Sequence, residues 1–143
     1  CWIELKRCML RSPKTNYAVL RFFGRFIMNI SEIKKDFSGE ISQALITDYN
    51  NLSKEDVRNM DDERIKNIRF ICEMIKFNAF PMQNIFEILK KLLEDFKGIS
   101  IDLLCNLMEN AGRFLYLNEQ SHLKYSNFLE NVKQNSQYSN RKN

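Results

Sequence analysis

The sequence predicts an all-α protein whose helices pair into antiparallel hairpins stacked as a solenoid. Three observations carry this. Turn residues are scarce: 143 residues hold 4 glycines and 2 prolines, whereas a β-sandwich or barrel needs a turn roughly every 8–12 residues. Apolar residues recur at helical spacing in one segment after another. A short signature also repeats. Arg25-Phe26-Ile27, Arg69-Phe70-Ile71 and Arg113-Phe114-Leu115 follow one another at a constant interval of 44 residues.

The elements can be taken in order. Residues 2–10 place Trp2, Ile3, Leu5, Cys8 and Met9 at helical spacing, and the polar run 11–16 stops them. A second helix is expected over 17–30 through Val19, Leu20, Phe22, Phe23, Phe26, Ile27 and Ile30, and a third over 37–49 on the face Phe37, Ile41, Ala44, Leu45, Tyr49. The polar stretch 50–59 reads as a loop. A fourth helix covers 61–77 through Ile65, Ile68, Phe70, Ile71, Met74 and Ile75.

Pro81 suits the first turn of a fifth helix, where its missing N–H costs nothing. That helix carries the clearest apolar stripe, Ile85 through Phe96, opposite Lys90, Lys91, Glu94 and Asp95. Gly98 is expected to close it and Ser100 to cap a sixth helix over 101–117, apolar on most of its surface and so covered on two sides. A seventh helix spans 120–132. Residues 133–143 read as a polar tail that frays.

One leading helix and three hairpins result, with each triplet in the first helix of its pair. The interval extends into the second helices, where Ile41, Ile85 and Leu129 correspond, as do Ala44, Ile88 and Val132. A period of about 40–47 residues made of two helices is that of HEAT-like solenoids. The triplet is therefore read as a packing signature: Phe26, Phe70 and Phe114 are expected in equivalent buried positions, with Arg25, Arg69 and Arg113 laying their methylenes on the apolar surface. The alternative is a ladder of three arginines for phosphates or acidic side chains. The off-period pair Arg21-Phe22 shows that the dipeptide also arises by chance.

Composition excludes several function classes. A net charge of +4, with both signs interleaved, falls short of the basic stripe of a nucleic-acid binder. Lys34, Lys35, Lys90, Lys91 and Lys97 are candidates for RNA or partner contact. Cys1, Cys8, Cys72 and Cys105 form no CxxC pair and read as small buried hydrophobes of a reducing compartment. His122 is the one histidine, expected to cap or pack. Without a metal-ligand cluster, a glycine-rich phosphate loop or a nucleophile elbow, no catalytic residue, metal or cofactor is expected.

Residues 68–132 carry more specific pieces. Arg69-Phe70-Ile71, Glu73 and Lys76-Phe77 lead to Leu89-Lys90, Leu92-Leu93 and Asp95-Phe96. Cys105, Leu107, Glu109 and Gly112-Arg113-Phe114-Leu115 follow, and Ser121-His122-Leu123 closes the series. In order and spacing these resemble the middle-domain class called MIF-four-G. Within that class they are most similar to the second such module of the up-frameshift-two scaffolds of nonsense-mediated mRNA decay.

The resemblance implies a single, partial domain of that type over residues 1–132, with further N-terminal helices outside the chain. It implies a non-enzymatic interaction module in mRNA surveillance, with proteins of the decay machinery as partners of the full scaffold. From the residues themselves, a net charge of +4 leaves any RNA contact weak and non-specific. The lack of an uninterrupted apolar run of about 18 residues indicates no membrane span, and no small-molecule substrate is expected. The location would be cytoplasmic, perinuclear or shuttling to the nucleus. The competing reading is an RNA-binding helical-repeat module of a translation-initiation or splicing factor. Cys72 departs from the family by standing where a glycine is usual.

Overall fold

The computed structural model describes residues 2–11, 17–54, 60–96 and 98–142. Among these residues the chain forms seven helices and no strand. They are α1 (Trp2–Leu10), α2 (Tyr17–Ile33), α3 (Phe37–Lys54), α4 (Asp61–Lys76), α5 (Met82–Glu94), α6 (Ile99–Leu117) and α7 (His122–Lys142). The first helices of the three hairpins make a row in which α4 packs between α2 and α6. Second helices dock on the hairpin that follows: α3 packs on α4 as well as on α2, and α5 packs on α6.

This row explains how the triplets are used, and it corrects the expectation for two of the three phenylalanines. The aliphatic member is buried every time, with Ile27 and Ile71 at 0% exposure and Leu115 at 1%. Phe70 is buried too, at 2%, but Phe26 and Phe114 are 44% and 43% exposed. The cause lies in the neighbours. α4 has helices on several sides, and Phe70 meets Phe23 of α2 at 5.4 Å between ring centroids. No helix among the described residues closes over Phe26, and Phe114 sits at the open edge of a small cavity beside Ile75, Phe80 and Met82.

Two glycines that precede triplet arginines allow close approach, one within the row and one between α6 and α7. A Cβ at Gly24 would lie 2.6 Å from the Glu73 carbonyl oxygen and 2.5 Å from the Phe77 ring, so α2 and α4 meet almost backbone to backbone. At Gly112 a Cβ would strike the Tyr125 hydroxyl of α7.

The helix ends differ from the predicted ones where side chains and loops decide them. α4 closes in a Schellman arrangement, with Asn78 at φ 55, its N–H on the Ile75 carbonyl at 3.0 Å and the Ala79 N–H on the Met74 carbonyl at 2.9 Å. Pro81 sits just before α5 as its cap, not inside the first turn. Gly98 does not close α5, which ends at Glu94. It precedes α6 at φ 54, a conformation that favours glycine.

Ser100 therefore falls within the first turn of α6 and donates to the Asp95 carboxylate at 3.0 Å, so it is not the cap. α2 and α3 run on to Ile33 and Lys54, and α7 continues through Lys142, beyond the reach of its apolar stripe. Residues 12–16 and 55–59, where polar loops were expected, lie outside the described residues.

Candidate interaction surface

The outer face of the α2–α4–α6 row carries a groove of about 220 Å³ lined by Ala18, Leu20, Arg21, Arg69, Glu73, Lys76 and Asn110. Arg69, Glu73 and Lys76 stand at i, i+4 and i+7 on α4 and so share one face. Lys76 Nζ donates to Glu73 Oε1 at 2.9 Å, and Arg69 Nε reaches Asn106 Oδ1 of α6 at 3.4 Å. α2 contributes Arg21, and Asn110 of α6 donates to the Asn106 carbonyl at 2.7 Å. Three cationic side chains and one carboxylate thus line one groove.

The proposed arginine ladder is not assembled in register. Arg69 shares the groove with Arg21, the pair read as a chance copy, while the exposed Arg25 and Arg113 do not line it. The sequence does not single out Arg21, Glu73, Lys76 and Asn110 as site residues, although the spacing of 69, 73 and 76 places Glu73 and Lys76 on one face with Arg69. The structure scatters the candidate lysines. Lys90 is exposed and lies 3.9 Å from Glu94. Lys91 borders a separate opening with Tyr49, Asn50, Ser53 and Lys54. Lys97 lies outside the described residues, and Lys35 is exposed.

Lys34 is held at the other end of the fold, with Glu40 at 3.3 Å and the Trp2 ring at 5.9 Å. Hydrogen bonds from Lys6 and Lys34 hold the Glu40 carboxyl below the usual glutamate range. An apolar cavity of about 320 Å³ between α3 and α4 is walled by residues such as Leu45, Leu52, Met60 and Phe70. Asn67 on its wall donates to the Leu45 carbonyl at 3.1 Å, and its own buried Oδ1 has no partner. Burial holds Asp48, on the same cavity, above the usual aspartate range.

Chemistry-bearing residues elsewhere serve the fold. Ser121 is fully buried and donates to the Leu115 carbonyl at 2.6 Å, while the His122 ring meets the Tyr116 carbonyl through Nδ1 at 2.5 Å. Both act on the last carbonyls of α6, which have no partner within the helix. Cys72 is buried, and desolvation pushes its thiol up to about 12. Cys8 and Cys105 are exposed, against expectation, and Cys1 lies outside the described residues. Among the described residues no three His, Cys, Asp or Glu side chains are grouped to hold a metal, and no helix is long and apolar enough to cross a membrane.

The sequence profile of the MIF4G domain matches residues 7–141, nearly the whole chain. The chain belongs to the MIF4G domain family. Its all-helical stack of hairpins is the architecture the resemblance implied.

Curated relatives extend this match. The MIF4G chain is 34% identical over 128 residues to the regulator of nonsense transcripts UPF2 of Arabidopsis thaliana, covering 89% of this chain and 11% of that protein. It is 30% identical over 135 residues to regulator of nonsense transcripts 2 of Homo sapiens, covering 94% of this chain and 10% of that protein. It is 23% identical over 129 residues to nonsense-mediated mRNA decay protein 2 of Schizosaccharomyces pombe, covering 90% of this chain and 12% of that protein. The MIF4G chain thus spans about a tenth of the length of these relatives.

The Gly-Arg-Phe-Leu and Ser-His-Leu pieces that carried the resemblance do structural work in this MIF4G chain. Gly112 admits Tyr125, Leu115 is core, and Ser121 and His122 close α6. Cys72, where the sequence departs from the resemblance, is fully buried as part of the core.

Proposed function

We propose that this chain is a non-enzymatic protein-interaction module of a nonsense-mediated mRNA decay scaffold. The observation that carries the reading is the match of about nine-tenths of the chain to three proteins named for nonsense-mediated decay or nonsense transcripts. Stacked hairpins supply the physical means, since they hold ridges and grooves in fixed relation without a catalytic pocket. Its place of action is the cytoplasm, and its partners are proteins of the decay machinery, met as part of the whole scaffold.

Charge placement weighs against the RNA-binding alternative. Lys6 and Lys34 meet Glu40, Lys76 meets Glu73, Lys90 meets Glu94 and Lys133 meets Glu130. Basic charge arranged in this way is dispersed and partly neutralised, not gathered along a strand-length track.

The test uses the full-length protein that carries this chain, in cells expressing a reporter mRNA with a premature stop codon. Deleting residues 2–142 should stabilise the reporter and remove decay proteins from the scaffold's co-precipitate. Normal reporter decay with an unchanged co-precipitate would contradict the reading.

A further inference from the structure

We propose that the groove shared by α2, α4 and α6 receives a carboxylate side chain from an acidic segment of a partner protein. The proposal rests on the protein-interaction reading above and gives the partner a chemistry. Arg21, Arg69 and Lys76 converge on the cavity from two helices, and Glu73 is the one carboxylate among its lining residues, so the lining carries a positive excess. The Lys76–Glu73 contact fixes Lys76 on one wall. Arg21, exposed on α2, presents a planar guanidinium fork that matches a carboxylate in a way an ammonium does not, and Arg69, which also bonds Asn106 Oδ1, adds its charge beside it.

The setting strengthens the pairing. Leu20, itself buried, and Ala18 form an apolar side to the groove, and low-dielectric walls focus the field of charges in a cleft. A cavity of about 220 Å³ accommodates side chains and not a whole helix. Asn110, on the α6 side, adds an amide that can meet a partner's polar group.

The same residues argue for an acidic protein segment over a nucleic-acid strand. A phosphate backbone needs cations spread along its path, and the next arginines of the repeat, Arg25 and Arg113, do not line the cavity. No aromatic ring is among the lining residues to stack a base. Glu73 within the groove also opposes a continuous polyanion, whereas a single carboxylate can lie against Arg21 on the α2 side.

The test is fluorescence anisotropy with a labelled oligoglutamate peptide and with a labelled oligouridylate of equal charge, titrated with the complete chain at about 50 mM salt, where surface charges are least screened. The peptide should bind saturably, and Arg21→Glu should weaken it about tenfold, as loss of a charge partner in a recessed site does. Lys91→Glu, which carries the same change of charge elsewhere, should leave peptide binding unaltered. Arg21 is exposed, so Arg21→Glu should keep the helical circular dichroism and melting of the parent. Arg69→Glu provides a second reading from inside the groove, provided its melt is likewise preserved.

Equal weakening by Lys91→Glu would overturn the proposal, since it would show diffuse charge attraction. Tighter binding of the oligouridylate through Arg21 would also overturn it, in favour of RNA. Absence of peptide binding by the parent chain would reject the groove assignment alone, because the reporter experiment judges the scaffold reading separately.

Discussion

Phe70 in α4 is 2% exposed, whereas Phe26 in α2 and Phe114 in α6 are 44% and 43% exposed, although all three follow an arginine and precede a buried aliphatic. The comparison separates two things that a sequence period merges. The period records that a helix recurs with one side toward the core, which fixes Ile27, Ile71 and Leu115. How much of the next residue is covered depends on whether another helix lies over it. In the middle of the row, Phe23 of α2 covers Phe70. At α2 and at the edge of α6 the same ring stays half open.

The largest effects should come from the members that all three hairpins bury. Ile27→Ala, Ile71→Ala and Leu115→Ala should each lower unfolding free energy by about 2–5 kcal/mol, measured by urea titration with circular dichroism. A small loss at Ile27 beside a large one at Ile71 would show that α2 is loosely attached and would break the equivalence of the hairpins.

Smaller effects should separate the two close-packing glycines. Gly24→Ala places a Cβ against the Glu73 backbone carbonyl, which moves only with α4, and should cost about 1–3 kcal/mol. Gly112→Ala meets first the hydroxyl of Tyr125, the far end of a side chain, and should cost less than Gly24→Ala in the same titration. The reverse order would show that the α6–α7 contact, not the α2–α4 contact, is the tighter joint.

The smallest effect should be the pH dependence of the N-terminal end, where Lys6 and Lys34 clasp Glu40. The Glu40 carboxyl is held below its usual range by those lysines. Its contribution is therefore present above the unfolded-state pKa and is lost as pH falls through the lower folded value. Glu40→Gln should flatten that part of the acid limb of stability, while the mid-row variants should keep the parent's slope. An identical acid limb in Glu40→Gln would mean that the exposed clasp contributes nothing measurable.

Much of this architecture was legible in the residues. Helix count and order among the described residues followed from apolar spacing and from the interval of 44, because those patterns are local and repeat. Helix ends were less so: Gly98 serves α6 instead of α5, and Ser100 bonds to Asp95 instead of to its own helix, since both depend on the path of the intervening loop. The groove was harder to see. Arg69, Glu73 and Lys76 could be placed on one face from spacing alone. Their meeting with Arg21 and Asn110 depends on how far α2 and α6 slide along α4, and a repeat period does not encode that slide. Exposure of Cys8 and Cys105 was invisible for a related reason, as a small residue on a helix gives little sign of which side is covered.

The most direct test of the account compares Phe26→Ala, Phe70→Ala and Phe114→Ala in one urea-unfolding series. The account predicts a loss of about 3–5 kcal/mol for Phe70→Ala and of no more than about 1 kcal/mol for Phe26→Ala and Phe114→Ala, as half-exposed positions allow. Equal large losses at all three positions would contradict it, because the triplet would then be a uniformly buried unit and not one whose aromatic takes its role from the neighbouring helix.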